Sequence, residues 1–359
     1  MNEIEIVLVE LGRMPNYTIL NLERLNILFP QIPLTLITDV PKRVDHLTKY
    51  VKIVEWETKT LGALEDLKIY RETKNKFWLH TTSRLFALCD YHSKTDSRTL
   101  LHLESDVILG SNFPFEKFTE SKTLLWGKYN AERDVASLLF SPSRTLSNLL
   151  KVTIQKELIR DAGHTDMSLL SKVAIELDKQ HAYLPSFSSK TSKLLNRRSK
   201  PSEEEIIQNS ELSPYFGGVF DHAVIGMWID GLDPQHKFGF RENLFGESVM
   251  SGESYVDPIS VEYHLQRPFE LAITEEQALT PLYCLHIHSK STLWFRLDEI
   301  EIIKNKVELA NAKERSISLD LKVLIELIVN NFQNGTLIQW ARHGLKYLID
   351  LRRKKGKST

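Results

Sequence analysis

Two carboxylates that follow a hydrophobic strand are the sharpest chemical feature of the sequence. The segment LLHLESDVIL predicts a strand over 99–103 that ends at Glu104 and Asp106. Side chains two positions apart in an extended segment point the same way. Because hard divalent cations prefer carboxylate oxygens, this spacing predicts that both residues hold one cation. A solvated strand end is the competing interpretation, and the isolated motif does not exclude it.

A second candidate group is the segment LHIHSK, which ends a strand predicted over 282–288. In this segment His286 and His288 alternate with Leu285 and Ile287. In a strand, both histidines would lie on one face, opposite the apolar residues. Imidazole binds borderline metals and a lysine supplies a point charge for phosphate, so the pattern favours a strand end that faces a metal or a phosphate. His288 is the preferred metal ligand because it lies nearest the strand end and Lys290, and His286 is the alternative. A structural role is the commoner one for any single histidine.

Two further carboxylates could act on a substrate. Thr165 is predicted to be the N-cap of a helix that begins DMSLLSKVAIEL. Asp166 is the first residue of that helix, where an acid also serves ordinary capping and dipole complementarity. Asp221 lies in the segment FGGVFDH, whose paired glycines permit close backbone approach to a ligand. Asp221 and His222 could bind hydroxyl groups or act as a base there. A tight turn before a buried helix is the other interpretation of this segment.

The elements that must position these residues alternate between strand and helix. The first hundred or so residues show strands at 3–9, 34–40, 51–56 and 99–103, and helices over 17–29 and 76–92. This order predicts an α/β layer fold. Ligands of such folds lie beyond the carboxyl ends of the strands, which makes Asp39, after the second strand, a candidate ribose or base contact. A strand-end Asp is equally common as a turn former.

This order, with an arginine-bearing helix before the acid-x-acid strand, resembles the N-terminal half of GT-A fold glycosyltransferases and their D-x-D motif. The resemblance covers residues 3 to 295 and is carried by order and spacing. It implies a GT-A (Rossmann-like) mixed α/β sheet flanked by helices. The sequence departs from the family pattern at Glu104, where Asp is usual, and at Met167, where Gln is usual in a D-Q helix start.

The resemblance also implies an activity and a set of roles. We expect a metal-dependent glycosyltransferase of the hexosyltransferase type that moves a sugar from a UDP- or GDP-sugar to an acceptor hydroxyl. The acceptor would be a glycan, glycolipid or glycoprotein, as in polysaccharide or glycoconjugate synthesis. Glu104, Asp106 and one histidine would hold Mn²⁺ or Mg²⁺, while Arg84 and Lys290 would contact the donor. The resemblance leaves open whether Asp166 or Asp221 acts as a base (inversion) or steadies the sugar (retention).

Two other functions remain as alternatives. A sugar-nucleotide pyrophosphorylase or other nucleotidyltransferase uses a related sheet and a metal, but those enzymes usually carry a glycine-rich basic loop after the first strand. Here that loop, ELGRMPNY, has one glycine and one arginine. A non-catalytic carbohydrate-binding protein on a decayed transferase fold would fit the departures at Glu104 and Met167. No P-loop, G-x-G-x-x-G, H-E-x-x-H or G-x-S-x-G pattern supports a kinase, dehydrogenase, zinc protease or serine hydrolase.

Composition and net charge limit the classes of protein that remain possible. The chain has 359 residues and a net charge of -1, which gives no nucleic-acid signature. Residues 341–359 carry seven basic residues and one acid, so this tail is +6 and the rest of the chain is -7. Cys89 and Cys284 have no CxxC partner, which excludes a disulfide framework and favours a reducing cytoplasm.

The domain organisation follows from the same patterns. We expect a GT-A domain over 1–296, with 186–210 as a mobile loop or insertion because it is rich in Ser, Lys and Glu. Residues 297–359 are predicted to form a C-terminal helical extension with the basic tail. That tail is the candidate for contact with the inner membrane face through anionic headgroups.

Overall fold

The structure is a computed structural model that describes residues 4–56, 76–95, 99–231, 254–258, 260–267, 269–275 and 278–312. The predicted C-terminal extension is therefore described only as far as residue 312. The basic tail and its predicted membrane contact lie outside the described residues. Within the described ranges, none of the helices combines the length and the apolar character that crossing a membrane requires.

Strands and helices alternate along most of the described chain. The strands are β1 (Ile4–Glu10), β2 (Leu34–Thr38), β3 (Lys52–Glu55), β4 (Thr99–Leu103), β5 (Val107–Leu109), β6 (Leu124–Asn130), β7 (Arg133–Ser141), β8 (His181–Tyr183), β9 (Glu262–Arg267), β10 (Glu270–Glu275), β11 (Ala278–Leu282) and β12 (Cys284–His286). The α-helices are α1 (Asn16–Leu28), α2 (Lys76–Lys94), α3 (Phe115–Glu120), α4 (Arg144–Arg160), α5 (Asp166–Leu177), α6 (Glu203–Gln208), α7 (Ser213–Phe216), α8 (Val224–Asp230) and α9 (Ile300–Ala312).

The central layer is a seven-stranded sheet in the order β3-β2-β1-β4-β7-β6-β8. Strands β3, β2, β1 and β4 are parallel, whereas β7 pairs antiparallel with both β4 and β6. Strand β8 returns parallel to β6. The prediction of a mixed α/β sheet flanked by helices is thus confirmed.

Alternation along the strands explains the two helical layers. In β1, Val7 and Val9 pack into the core shared with α2, α4 and α5, while Ile6 and Leu8 pack into the core shared with α1. Successive strand residues face opposite sides of a sheet, so a run buried on both faces is apolar at nearly every position. Because β1 and β4 are parallel, their carboxyl ends lie at the same edge of the sheet, between the two helical layers.

A long-range strand pair brings the C-terminal part of the domain to this edge. Strand β12 pairs antiparallel with β5, and His286 lies opposite Val107. The backbone N–H of Ile287 donates to the carbonyl oxygen of Asp106 at 2.8 Å, which continues the pairing by one residue. The predicted strand over 282–288 is therefore shorter than expected, because Leu282 ends β11 and the chain turns after His286. The small antiparallel sheet β11-β10-β9 was not predicted.

The segment 186–210 packs against the domain through part of its length. Phe187, Leu194 and Leu195 are buried in a hydrophobic core, and the N–H of Asn196 donates to the carbonyl oxygen of Tyr255 at 2.9 Å. The segment also includes α6. Its mobility stays a prediction, but its apolar residues contribute to the folded core.

Candidate active site

A pocket of about 560 Å³ opens at the carboxyl ends of β1 and β4. Strand ends, the first turn of α5 and the chain after β12 all contribute to its wall. The charged and imidazole side chains that line it are Glu10, Arg13, His80, Arg84, Glu104, Asp106, Arg133, Asp166, His286, His288 and Lys290. Seven of the nine site residues predicted from the sequence are thus brought together in one place, and Asp39 and Asp221 are not part of the lining.

Three of these residues form a compact group, which we call the ligand cluster: Glu104, Asp106 and His286. One ligand atom from each lies within 4.8 Å of the other two. The Nε2 atom of His286 is 3.2 Å from Asp106 Oδ2 and 3.4 Å from Glu104 Oε2. Two carboxylates and an imidazole form a donor set that suits Mn²⁺ or Mg²⁺ better than a soft metal.

The tautomer of His286 follows from its other ring nitrogen. Nδ1 lies 3.1 Å from the carbonyl oxygen of His222, which can only accept, so Nδ1 carries the hydrogen of that bond. Without a proton on Nε2, His286 presents a bare lone pair to two carboxylates. Lone pairs repel unless a proton or a metal ion lies between them. A backbone carbonyl on the second nitrogen is the usual orienting device of metal-binding histidines.

The turn that carries the two acids is fixed by α1. The side-chain amide of Asn21 donates to the carbonyl oxygens of Ser105 at 3.0 Å and Val107 at 2.8 Å, one on either side of Asp106. The N–H of Val107 donates to the carbonyl oxygen of Glu104 at 3.0 Å, which closes the turn. This arrangement holds the backbone of the acid-x-acid motif independently of any ligand.

Asp221 fixes the strand that carries His286. Its Oδ1 accepts from the N–H groups of Ala223 and Ile225, and its Oδ2 accepts from those of Gly226 and His286, at 2.7–3.1 Å. Burial raises the pKa of this carboxyl, although the same hydrogen bonds oppose the shift. Asp221 lies outside the pocket lining, and its oxygens accept four backbone N–H groups. It can therefore support the position of His286. This geometry gives no support to the predicted contact of Asp221 with a substrate.

Gly226 explains how α8 approaches β12 so closely. A Cβ at this position would overlap the carbonyl oxygen of His286 and also approach the carboxylate of Asp221. Only glycine permits this contact between a helix backbone and a strand backbone. The paired glycines of the FGGVFDH segment do not line the pocket. A Cβ at Gly218 would lie 2.6 Å from the carbonyl oxygen of Pro281, so this glycine permits close packing against β11.

Both histidines of the LHIHSK segment line the pocket, but only one belongs to the ligand cluster. The ring of His288 stacks on that of His286, with centroids 4.1 Å apart, and it lines the pocket. Among the described residues, the cluster of potential metal ligands contains His286 and not His288. The geometry therefore favours His286, against the sequence-based preference for His288.

Two cations flank the ligand cluster. Arg84 Nη1 pairs with Glu104 Oε1 at 2.5 Å, and Lys290 Nζ contacts Asp106 Oδ2. Burial acts to raise the pKa of Glu104, but Arg84, His286 and Lys290 outweigh it and lower that pKa to about 2. Burial lowers the pKa of Lys290 to about 8. The pocket therefore holds an ionised carboxylate at neutral pH, with positive charge on both sides.

Asp166 is the first residue of α5, after Thr165, whose hydroxyl accepts the N–H of Ser168 at 3.2 Å. The predicted N-cap is thus confirmed, and Asp166 itself lines the pocket. Burial raises the pKa of Asp166 to about 6, against the opposing charge of Arg84. Its Oδ1 is buried and makes no hydrogen bond within the described residues. An acceptor of this kind, in a pocket wall, is available to a ligand hydroxyl.

Glu10 is a pocket residue that the site prediction left out. It ends β1, its Oε1 accepts from the Ser105 hydroxyl and, at 3.3 Å, from the Thr18 hydroxyl, and burial raises its pKa. Its position at the carboxyl end of β1 is the sequence signal that could have identified it as a pocket residue. Asp39 instead accepts the N–H of Gly12 at 2.8 Å and so shapes the loop after β1. A ribose or base contact for Asp39 stays a prediction.

Several solved glycosyltransferase structures resemble part of the chain. The galactosyltransferase LgtC, solved with donor and acceptor sugar analogues, matches over 52% of this chain and 75% of its own, with 12% identity and a TM-score of 0.39. GlyE from Streptococcus pneumoniae TIGR4 matches over 51% and 45%, with 15% identity and a TM-score of 0.32. The PaToxG glycosyltransferase matches over 50% and 70%, with 10% identity and a TM-score of 0.34.

A TM-score below 0.5 at such identities is too low to carry an activity from those proteins to this chain. No protein-family model matches the sequence, and the search of curated proteins gave no match. The function is therefore argued from the pocket itself.

Proposed function

We propose that this chain is a metal-dependent glycosyltransferase that uses a nucleoside-diphosphate sugar. One observation carries the proposal: the ligand cluster, Arg84 and Lys290 converge in a single pocket at the carboxyl ends of β1 and β4. In α/β folds this edge is where nucleotides bind. A cation site flanked by an arginine and a lysine suits a diphosphate, which carries more negative charge than either side chain neutralises alone.

Glu104, Asp106 and His286 would hold Mn²⁺ or Mg²⁺. Such an ion supplies charge stabilisation for a leaving diphosphate. Lys290 and Arg84 contribute fixed positive charge next to the same position, and their burial strengthens the attraction because less water screens it. Asp106 orients Lys290, and Glu104 orients Arg84, through the ion pairs that the structure contains.

Asp166 is assigned to the sugar. Its buried Oδ1 lacks a hydrogen-bond partner among the described residues, and a sugar hydroxyl would supply one. A pKa near 6 leaves it mostly ionised at neutral pH, and thus able to accept a hydrogen bond or a proton. Asp221 is assigned a supporting role because its oxygens already accept four backbone N–H groups.

We assign the less polar part of the pocket lining to the acceptor. Tyr129, Met167, Ala223 and Met227 line it together with the exposed Arg133. The proposed acceptor is a hydroxyl of a glycan, glycolipid or glycoprotein, and the transferred group is a hexose. Contact of the tail 341–359 with a membrane surface remains a proposal of its own, and liposome flotation with and without these nineteen residues tests it.

The experiment is a donor panel with the full chain. UDP- and GDP-sugars are offered with MnCl₂ or MgCl₂, and released UDP or GDP is measured. We expect release from at least one donor, its loss with a chelator, and loss by at least about 100-fold in Glu104→Gln and Asp106→Asn, the upper end of what supporting residues cost at metal sites.

The matched control is Glu211→Gln, which neutralises an exposed acid remote from the pocket lining and should retain full turnover. No release from any donor, or undiminished metal-dependent release in Asp106→Asn, contradicts the proposed function.

A further inference from the structure

Behind the pocket, a buried carboxylate joins three elements. Asp230, the last residue of α8, has a fully buried side chain. The hydroxyl of Ser289 donates to its Oδ2, and the ammonium of Lys306, on α9, pairs with its Oδ1. None of these three residues lines the pocket. A buried carboxylate needs a counter-charge, which Lys306 provides, and Lys306 is itself only 20% exposed.

Ser289 is the residue directly before Lys290, whose backbone is unusual. Lys290 has a φ of 58°, in the left-handed region that residues other than glycine rarely adopt. Its N–H donates to the carbonyl oxygen of Ile287 at 3.1 Å, and the next N–H, of Ser291, donates to the Ser289 hydroxyl at 3.1 Å. Surrounding contacts must hold such a conformation. The Ser289 side chain, anchored on Asp230, joins this turn to α8 and, through Lys306, to α9.

We propose that Asp230, held by Lys306, is a positioning residue: it fixes the backbone turn from which Lys290 reaches the pocket, where Asp106 contacts the lysine ammonium. The connection runs from α9 through Lys306 to Asp230, from Asp230 to the Ser289 hydroxyl, and from Ser289 to the left-handed turn at Lys290. The inference rests on the proposed function, because it takes the diphosphate of the donor as the group that Lys290 contacts. It adds two residues, 230 and 306, that lie outside the pocket and act only through Lys290.

The test measures affinity for UDP and GDP by calorimetry with Mn²⁺ present, using the full chain. Lys306→Met removes the charge that holds Asp230 without changing any pocket residue. We expect it to weaken nucleotide binding about tenfold, the effect of losing one charge-assisted contact. Lys306→Arg, which keeps the pair, should restore affinity. Lys304→Met, an exposed lysine on the same helix, is the matched control and should bind like the wild type.

A double variant separates positioning from general damage. In a Lys290→Met background, adding Lys306→Met should cause no further loss of affinity, because the contact on which it acts is already gone. Ser289→Ala removes the same connection with a smaller change of volume and should also weaken binding about tenfold. Thermal unfolding shows whether each variant is folded. If Lys306→Met does not fold, Ser289→Ala decides the test in the same backgrounds.

The outcomes distinguish this inference from the proposed function. Wild-type affinity in folded Lys306→Met or Ser289→Ala, or a second equal loss in the double variant, overturns the positioning role and leaves the proposed function standing. A wild-type chain that binds neither nucleotide overturns the proposed function and this inference with it.

Discussion

The Nε2 atom of His286 lies 3.2 Å from a carboxylate oxygen of Asp106, although the two residues are 180 positions apart in the chain. The pairing of β12 with β5 creates this proximity, and the contacts of Asn21, Asp221 and Gly226 preserve it. The candidate metal site therefore depends on groups that never meet the metal. Each can be altered separately, and each alteration has a defined expected effect.

Asp221→Asn should destabilise the fold and weaken the site together. The amide replaces one acceptor oxygen with a donor that faces backbone N–H groups, so two buried donors lose their partner. We expect a loss of about 3 kcal/mol in the free energy of unfolding, measured by urea denaturation, and weaker Mn²⁺ binding. A catalytic base would behave differently: activity would fall while stability and metal affinity stayed at the wild-type level, and that result would reject the supporting role.

Gly226→Ala should displace His286. The added methyl overlaps the carbonyl oxygen of His286, so α8 and β12 must separate or the residue must strain. Overpacking of this kind costs about 1–3 kcal/mol, and we expect Mn²⁺ affinity to fall because the imidazole moves with its backbone. Gly163→Ala, in an exposed region between α4 and α5, is the control. Unchanged metal affinity in Gly226→Ala would show that His286 is not a ligand or that the helix moves freely.

Asn21→Leu tests the support of the acid-x-acid turn. The substitution keeps the volume and removes both N–H donors, so the carbonyl oxygens of Ser105 and Val107 lose a buried partner. We expect about 1–3 kcal/mol of lost stability and a lower affinity for Mn²⁺, measured by calorimetry. Asn26→Leu, on the same helix and only partly buried, should change neither quantity. Equal metal affinity in wild type and Asn21→Leu would mean that the turn holds itself.

Asp134 gives an expected pH dependence of stability. Its buried carboxylate accepts from Trp126 Nε1 at 2.9 Å and lies 3.6 Å from Lys128 Nζ. Burial raises its pKa from 3.8 to about 6 despite that lysine. Because the folded pKa is the higher one, the folded state binds the proton more tightly, and this stabilisation is complete below pH 3.8 and lost as pH rises through about 6.

The comparison variant is Asp134→Asn, which cannot titrate. We expect the stability of the wild type relative to this variant to decrease by about 2 kcal/mol between pH 4 and pH 7, as measured by urea unfolding at both values. A relative stability that is constant or that increases with pH would show that the Lys128 pair outweighs burial.

Local patterns predicted most of the elements but not their long-range pairing. The apolar stripe over 17–29 predicted α1, and the Thr165 cap predicted the start of α5. Both signals depend on residues only a few positions apart. The acid-x-acid motif was placed correctly at the end of β4. The antiparallel addition of β12 beside β5 depends on contacts far apart in sequence, which periodicity does not record.

The same limit explains the revisions within the site. Both histidines line the pocket, as an extended segment predicts, but the strand ends at His286, and the group of potential metal ligands contains His286 and not His288. Asp221 resembled a reactive acid because its four N–H partners are invisible in a sequence pattern. The Asp230–Lys306 pair joins residues 76 positions apart, and no local signal marked either one.

Glu104, Asp106 and His286 are proposed to bind one divalent cation, and titration of the full chain with MnCl₂, followed by calorimetry or electron paramagnetic resonance, measures that binding. We predict one Mn²⁺ per chain, loss of that site in Asp106→Asn and His286→Ala, and its retention in His288→Ala and Glu211→Gln. No saturable Mn²⁺ binding by the wild type, or equal affinity in His286→Ala, would show that these three residues do not form a metal site.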